Sequence, residues 1–108
     1  TTVEVMKKSP EKIRAIVEAR RAATDFIYAN PEEAGRLIAK RYGDTLPVDV
    51  SIRAVKHMVD IKYWSAGNIE MAGMEAMAKA LEKTGTLKGT VDWNKLIDKS
   101  FLPADLRN

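Results

Sequence analysis

The chain has 108 residues and a formal net charge of +3. Its 45% hydrophobic and 31% charged residues are typical of one folded soluble domain and argue against a disordered chain. The sequence has no cysteine, which excludes disulfides and thiolate zinc sites, and its evenly spread basic residues argue against a nucleic-acid-binding or membrane-binding face.

The first residues of the chain predict a short strand. Residues 3–6 read Val-Glu-Val-Met, and no other stretch has a comparable strand pattern. Four residues cannot satisfy their own strand hydrogen bonds, so the pairing partners are expected in another chain or in sequence not present here. The same residues have neither the basic nor the apolar region of a signal peptide, which predicts either a cytoplasmic protein or a missing N-terminal portion.

Two helices are predicted next, over residues 10–29 and 31–42. Each begins with a capping residue followed by Pro and Glu, and apolar residues then recur at helical spacing. Asn30 is expected to cap the second helix, with Glu33 placed to complete a capping box. Gly43 stands where a left-handed residue would end that helix.

Two more helices are predicted over residues 48–59 and 69–84, because apolar residues again recur at helical spacing. Asn68 is expected to cap the later helix and Gly85 to close it. Between the two helices the period is lost over residues 61–67, which predicts a structural boundary.

The C-terminal residues predict a short capped helix over residues 92–97 and a terminal turn over residues 101–106. Helix would then account for about sixty per cent of the chain, well above the third that is usual in soluble proteins. The sequence therefore predicts a mainly α unit.

His57 is the only histidine. The third predicted helix places it on the polar face, opposite Val48, Ile52, Val55 and Val59. No second histidine stands at ligand spacing, and a zinc site needs about four ligands. A solvated surface histidine is therefore favoured over a catalytic or metal-binding one. The glycines match neither the dinucleotide-binding nor the phosphate-loop pattern, so the sequence predicts no cofactor, no metal site and no catalytic residue.

Two sets of side chains leave two interpretations open. Met71, Met74 and Met77 on one face of the fourth helix would suit an adaptable binding groove, although a packed core is favoured. Tyr63 and Trp64 stand in a non-helical segment, where they form either a lid over the core or the wall of a ligand pocket. They are the predicted ligand-binding residues.

Several segments resemble the solute-binding proteins of the nitrate, sulfonate and taurine ABC importers. The helix start at residues 30–41 is similar to one that is common in that family, and residues 9–14 resemble the helix that precedes it. The tail, at residues 71–77 and 89–103, is similar to the family's C-terminal ending. These segments cover nearly the whole chain and consist mainly of capping and core residues.

The resemblance implies a type II periplasmic-binding α/β fold, in which a solute is held between two lobes and delivered to a membrane permease. Members of that family are about three times longer than this chain. Residues 1–108 would thus be a single unit, the C-terminal helical part of an extracytoplasmic or periplasmic binding protein with no enzymatic activity. The implied solute is a small organic or inorganic compound, such as a sulfonate, nitrate or a pyrimidine-like compound, and an anionic or zwitterionic organic solute is favoured.

Two other functions are weighed against this one. An enzyme of the same superfamily, such as a pyrimidine-precursor synthase, would require catalytic histidine or cysteine groups, whereas this chain has no cysteine and a single histidine that is predicted to lie on the surface. A small helical interaction or DNA-binding module is suggested by consecutive short helices, but the even charge distribution argues against it. We also expect the chain to self-associate, with residues 3–6 pairing as strands across a two-fold axis.

Overall fold

The computed structural model describes residues 1–107, which contain six α-helices, two 3₁₀ turns and no strand. The mainly α prediction is therefore confirmed for these residues. The helices are α1 (Val3–Lys8), α2 (Pro10–Ala29), α3 (Pro31–Tyr42), α4 (Val48–Asp60), α5 (Met71–Lys83) and α6 (Trp93–Leu96), and the 3₁₀ turns are Gly43–Thr45 and Ala104–Leu106. The four long predicted helices are confirmed to within two residues at each end.

The strand predicted at residues 3–6 is wrong, because these residues lie in α1. The Thr2 hydroxyl accepts a hydrogen bond from the backbone N–H of Val5 at 3.3 Å and so caps the helix. Lys8 forms an ion pair with Glu4 at 2.7 Å, one helical turn apart. Local capping and charge pairing therefore favour a short helix, so these residues do not form the strand on which the expected pairing between two copies depends.

Two compact units make up the chain, the first running from Thr1 to Gly67 and the second beginning at Asn68. The division falls at the boundary predicted from the loss of helical period over residues 61–67. The first unit contains α1 to α4, and the second contains α5, α6 and the C-terminal turn.

The core of the first unit lies where α3 packs against α4. A methyl group placed on Gly35 of α3 would lie 2.7 Å from the Cα atom of Ile52, so the two helices approach at a position that only glycine allows. The Ser51 hydroxyl donates a hydrogen bond to the Gly35 carbonyl at 2.8 Å in the same buried contact. Ala34 and Val55 are each 3% exposed beside it. Small side chains thus allow α3 and α4 to pack closely together.

Several of the larger apolar side chains outside this contact remain exposed. Phe26 of α2 and Leu37 of α3 are 39% and 49% exposed, although both stand on the predicted apolar stripes. They line a small apolar hollow of about 200 Å³ between α2 and α3. The helical period therefore marks the apolar faces correctly, but the described residues do not cover them fully.

In the second unit, α5 ends in a glycine-based cap. The N–H of Thr86 donates to the Leu81 carbonyl at 3.0 Å, and the N–H of Gly85 donates to the Glu82 carbonyl at 2.9 Å. Gly85 has a φ of 73°, which confirms its predicted role in closing the helix. Asn68 was predicted to cap the start of α5. That prediction is wrong, because the helix begins after Glu70.

Candidate functional site

The segment that carries Tyr63 and Trp64 begins at the C-terminal end of α4. The N–H of Tyr63 donates to the Met58 carbonyl at 2.9 Å, and the N–H of Lys62 donates to the Val59 carbonyl at 3.0 Å. Lys62 has a φ of 53°, the left-handed conformation that glycine usually supplies at a helix end. This turn stops α4 and directs the chain into the non-helical segment that the sequence predicted.

An aromatic cluster forms around Trp64. Its ring makes edge-to-face contacts with Tyr63, at 5.4 Å between ring centroids, and with Tyr28 of α2, at 6.3 Å. The Tyr28 hydroxyl also donates a hydrogen bond to the Trp64 carbonyl at 2.9 Å. Trp64 is partly buried, whereas Tyr63 is 63% exposed. One aromatic ring is therefore held against α2, and the next one presents its surface to solvent.

A second attachment joins the segment to α2 through Arg20. Its guanidinium group donates to the carbonyl and hydroxyl oxygens of Ser65, each at 3.4 Å. Arg20 lies eight residues before Tyr28, which places the two about two helical turns apart on α2. Sequence reasoning identified Tyr63 and Trp64 but missed Tyr28 and Arg20, because their partners lie 36 and 45 residues away along the chain.

His57 lies on the exposed surface of α4, which confirms the prediction for its accessibility. Among residues 1–107, no group of three or more histidine, aspartate or glutamate side chains is placed to hold a metal ion. No helix in the same residues is both long and apolar enough to cross a membrane.

A charged cluster joins α3 to α4 on the surface of the first unit. Glu32 accepts from Arg36 at 2.5 Å and from Lys56 at 3.2 Å, and its side chain is 52% exposed. These hydrogen bonds and positive charges, with Lys56 the larger contributor, lower the pKa of Glu32 below its usual value. Asn30, the predicted capping residue, instead donates its side-chain amide to the Phe26 carbonyl at 3.3 Å. The cluster links two helices through one carboxylate that pairs with two basic side chains.

An open apolar groove of about 760 Å³ lies within the second unit. Met74 and Met77 of α5 line it together with Leu87, Val91 and Trp93. Met77 is 64% exposed, so the expectation that the methionine stripe is a packed core is wrong at this residue. Met74 and Met77 of the stripe instead line an open groove.

Comparisons of the chain with protein-family models, with curated proteins and with solved structures gave no match. A function for the chain is therefore inferred from its local geometry. Two sites stand out, namely the aromatic segment attached to α2 and the apolar groove beside α5. The aromatic segment combines an exposed ring with two anchoring hydrogen-bond donors, one of which, Arg20, carries a positive charge.

Proposed function

We propose that the chain is the C-terminal helical part of a solute-binding component of an ABC importer, and that Tyr63 and Trp64 contribute one wall of its solute site. In this proposal the protein works outside the cytoplasmic membrane and delivers its solute to a membrane permease. It binds a small anionic or zwitterionic solute and catalyses no reaction.

The arrangement of Tyr63 and Trp64 is the observation that carries the proposal. Pocket walls in binding proteins are mainly aromatic and apolar, with a few polar groups that orient the ligand. Here the exposed Tyr63 ring stands beside the anchored Trp64 ring, and Arg20 binds the next residue of the same segment. A single wall of this kind suits a cleft that closes around its ligand from two sides.

The exposed apolar faces of the first unit also favour the proposal. Large apolar side chains such as Ile16 and Leu37 are 65% and 49% exposed on α2 and α3. Helices that cover a sheet have apolar faces of this kind, and burying each such side chain stabilises a protein by about 1.5–3 kcal/mol. The proposed α/β lobe would supply that cover.

The reading frame that encodes the chain provides the first test. We expect it to encode a signal peptide and two α/β lobes ahead of Thr1. In the intact encoded protein, Trp64→Ala should weaken solute binding measured by calorimetry, while Tyr42→Ala, which changes an exposed tyrosine on α3, should leave it unchanged. A reading frame without those lobes, or an intact protein in which Trp64→Ala has no effect on solute affinity, would reject the proposal.

A further inference from the structure

We infer that the segment at Tyr63–Ser65 takes a flat ring that bears a negative charge, such as an aryl sulfonate or a heteroaromatic carboxylate. The inference rests on the proposed function and narrows its solute class. Tyr63 supplies a ring surface for stacking, Arg20 supplies the positive charge, and Tyr28 acts as a positioning residue for Trp64.

The aromatic surface is held in place before any ligand arrives. Tyr28 fixes Trp64 twice, through the 2.9 Å hydrogen bond to its carbonyl and through an edge-to-face ring contact at 89°. Trp64 in turn contacts the Tyr63 ring at 87°. Ordering a side chain on binding costs affinity, so a ring that is already supported by neighbours binds a flat ligand more tightly than a free one. The 63% exposure of Tyr63 leaves ring surface for that ligand.

The charge of Arg20 selects a negative ligand. Its hydrogen-bond partners within residues 1–107 are the two oxygens of Ser65, which carry no charge, and both distances are long at 3.4 Å. A guanidinium group binds a carboxylate or sulfonate through stronger, charge-assisted hydrogen bonds than it makes to neutral oxygens. Lys62, next to Tyr63 in the chain, adds a second positive side chain. An anion can therefore replace the weak Ser65 contacts, whereas a cation would be repelled.

A site with one wall should bind weakly but selectively. Because tight small-molecule sites bury most of the ligand surface, dissociation constants on the order of 1 mM are expected for the 108-residue chain. The informative quantity is thus the ratio of affinities between matched ligands. Benzenesulfonate and cyclohexanesulfonate share a charge and differ in the flat ring, whereas benzenesulfonate and benzylammonium share the ring and differ in charge.

Fluorescence of Trp64 provides the measurement. The chain has two tryptophans, so Trp93→Phe leaves Trp64 as the single reporter. We expect benzenesulfonate to perturb the Trp64 emission and to bind about tenfold more tightly than either comparison ligand, a factor that corresponds to 1.4 kcal/mol. Saturation-transfer NMR on the unsubstituted chain gives the same ligand ranking without the Trp93→Phe change.

Variants separate the roles of the three residues. Tyr63→Leu should remove the preference for the flat ring, and Tyr42→Leu, at a tyrosine with the same 63% exposure, should not. Arg20→Gln should remove the preference for the anion over the cation. Tyr28→Phe keeps the ring and loses the hydrogen bond, so it should shift Trp64 emission to longer wavelength and weaken benzenesulfonate binding.

Equal affinity for the three ligands would overturn the inference, as would equal effects of Tyr63→Leu and Tyr42→Leu. The experiments distinguish a failure of this inference from a failure of the importer proposal. A ring-anion preference in a chain whose reading frame lacks α/β lobes would reject the importer and keep the site. Importer lobes together with no ligand preference would reject the site alone.

Discussion

Lys62 combines a helix-ending backbone conformation with a side chain that does not favour it. Its φ of 53° lies in the left-handed region, where residues other than glycine are strained by about 1–2 kcal/mol. The two backbone hydrogen bonds made by Lys62 and Tyr63 to the last turn of α4 require this conformation. The strain is therefore stored at the residue that leads the chain from α4 to Trp64, which contacts α2.

Lys62→Gly should raise the stability of the chain by about 0.5–1 kcal/mol, because relief of the left-handed strain exceeds the extra entropy that glycine loses on folding. Urea unfolding followed by circular dichroism would measure the change. Lys62→Ala removes the same side chain without relieving the strain and should give no gain. A glycine variant that is less stable than the alanine variant would contradict this explanation.

Glu32 should make a pH-dependent contribution to stability. Its pKa is lowered in the folded chain by Lys56 and Arg36, so the carboxylate stabilises the fold above the usual glutamate pKa of 4.5, and this contribution is lost as the pH falls through the lowered value. Thermal unfolding of the native chain and of Glu32→Gln should differ by a constant amount at neutral pH and converge in acid.

Added salt should reduce the same difference at neutral pH, because the side chains are half exposed and their charges are screened. A difference between the native chain and Glu32→Gln that persists unchanged at acid pH would show that the glutamate acts through packing instead of charge.

At the scale of helices, the contact of α3 with α4 depends on Gly35. Gly35→Ala would place a methyl group 2.7 Å from the Ile52 backbone, so the helices must separate, and we expect a loss of about 1–3 kcal/mol. Gly73→Ala in α5 is the matched control, because a methyl group there meets nothing closer than 4.0 Å. That change should increase stability by up to about 1 kcal/mol through better helix propensity.

Thermal denaturation of both glycine variants would test this pair of expectations. If Gly35→Ala were as stable as Gly73→Ala, the close approach of α3 to α4 would be incorrect. The Ser51 hydroxyl should also lose its 2.8 Å hydrogen bond to the Gly35 carbonyl in the Gly35 variant. The protected backbone amides around Ser51 should then exchange faster with solvent.

The elements that the sequence predicts well are those with local signals. Proline in the first helical position marks the starts of α2 and α3, and glycines with positive φ mark the ends of α3 and α5. The short α1 was missed because a Val-Glu-Val pattern also suits a strand, and the capping by Thr2 decides the outcome. For the helix ends, the neighbouring residues alone are enough for a correct prediction. For α1, two local signals favour different structures.

Contacts between distant segments could not be predicted in the same way. Gly35 has no helix-ending signal and follows Ala34 inside an ordinary helical period, so its contact with Ile52 depends on the crossing of two helices. The attachment of Trp64 to Tyr28 likewise depends on how the segment after α4 returns to α2. The aromatic pair of the candidate site was identified from its sequence context, and its anchoring residues required the fold.

At the scale of the whole molecule, the buried apolar core is small. Its fully buried hydrophobic side chains within residues 1–107 are Ala34, Ala39 and Val55, all from α3 and α4. Side chains of this size contribute little area, whereas larger ones such as Ile16 and Met77 remain more than half exposed. Each of the two units therefore exposes large apolar side chains. Extensive apolar surface of this kind usually marks a site where a partner binds.

This exposed surface predicts that the 108-residue chain self-associates and does not bind importer solutes at micromolar concentration. Light scattering should report species larger than a monomer, because the apolar faces of α2, α3 and α5 find cover in a second copy. Calorimetry against taurine, nitrate, aliphatic sulfonates and pyrimidines should detect no micromolar binding, since a tight site needs walls on two sides of the ligand.

Leu37→Arg supplies a direct check on the cause of association. Leu37 is 49% exposed beside Phe26 in the apolar hollow between α2 and α3, so a charge there should shift the population toward monomer without disturbing the α3–α4 core. Arg53→Leu on the charged face of α4 is the reverse change and should increase association. Micromolar solute binding by a monodisperse native monomer would contradict both predictions. Such a chain would already have a complete solute site, and its apolar faces would not need a second copy to cover them.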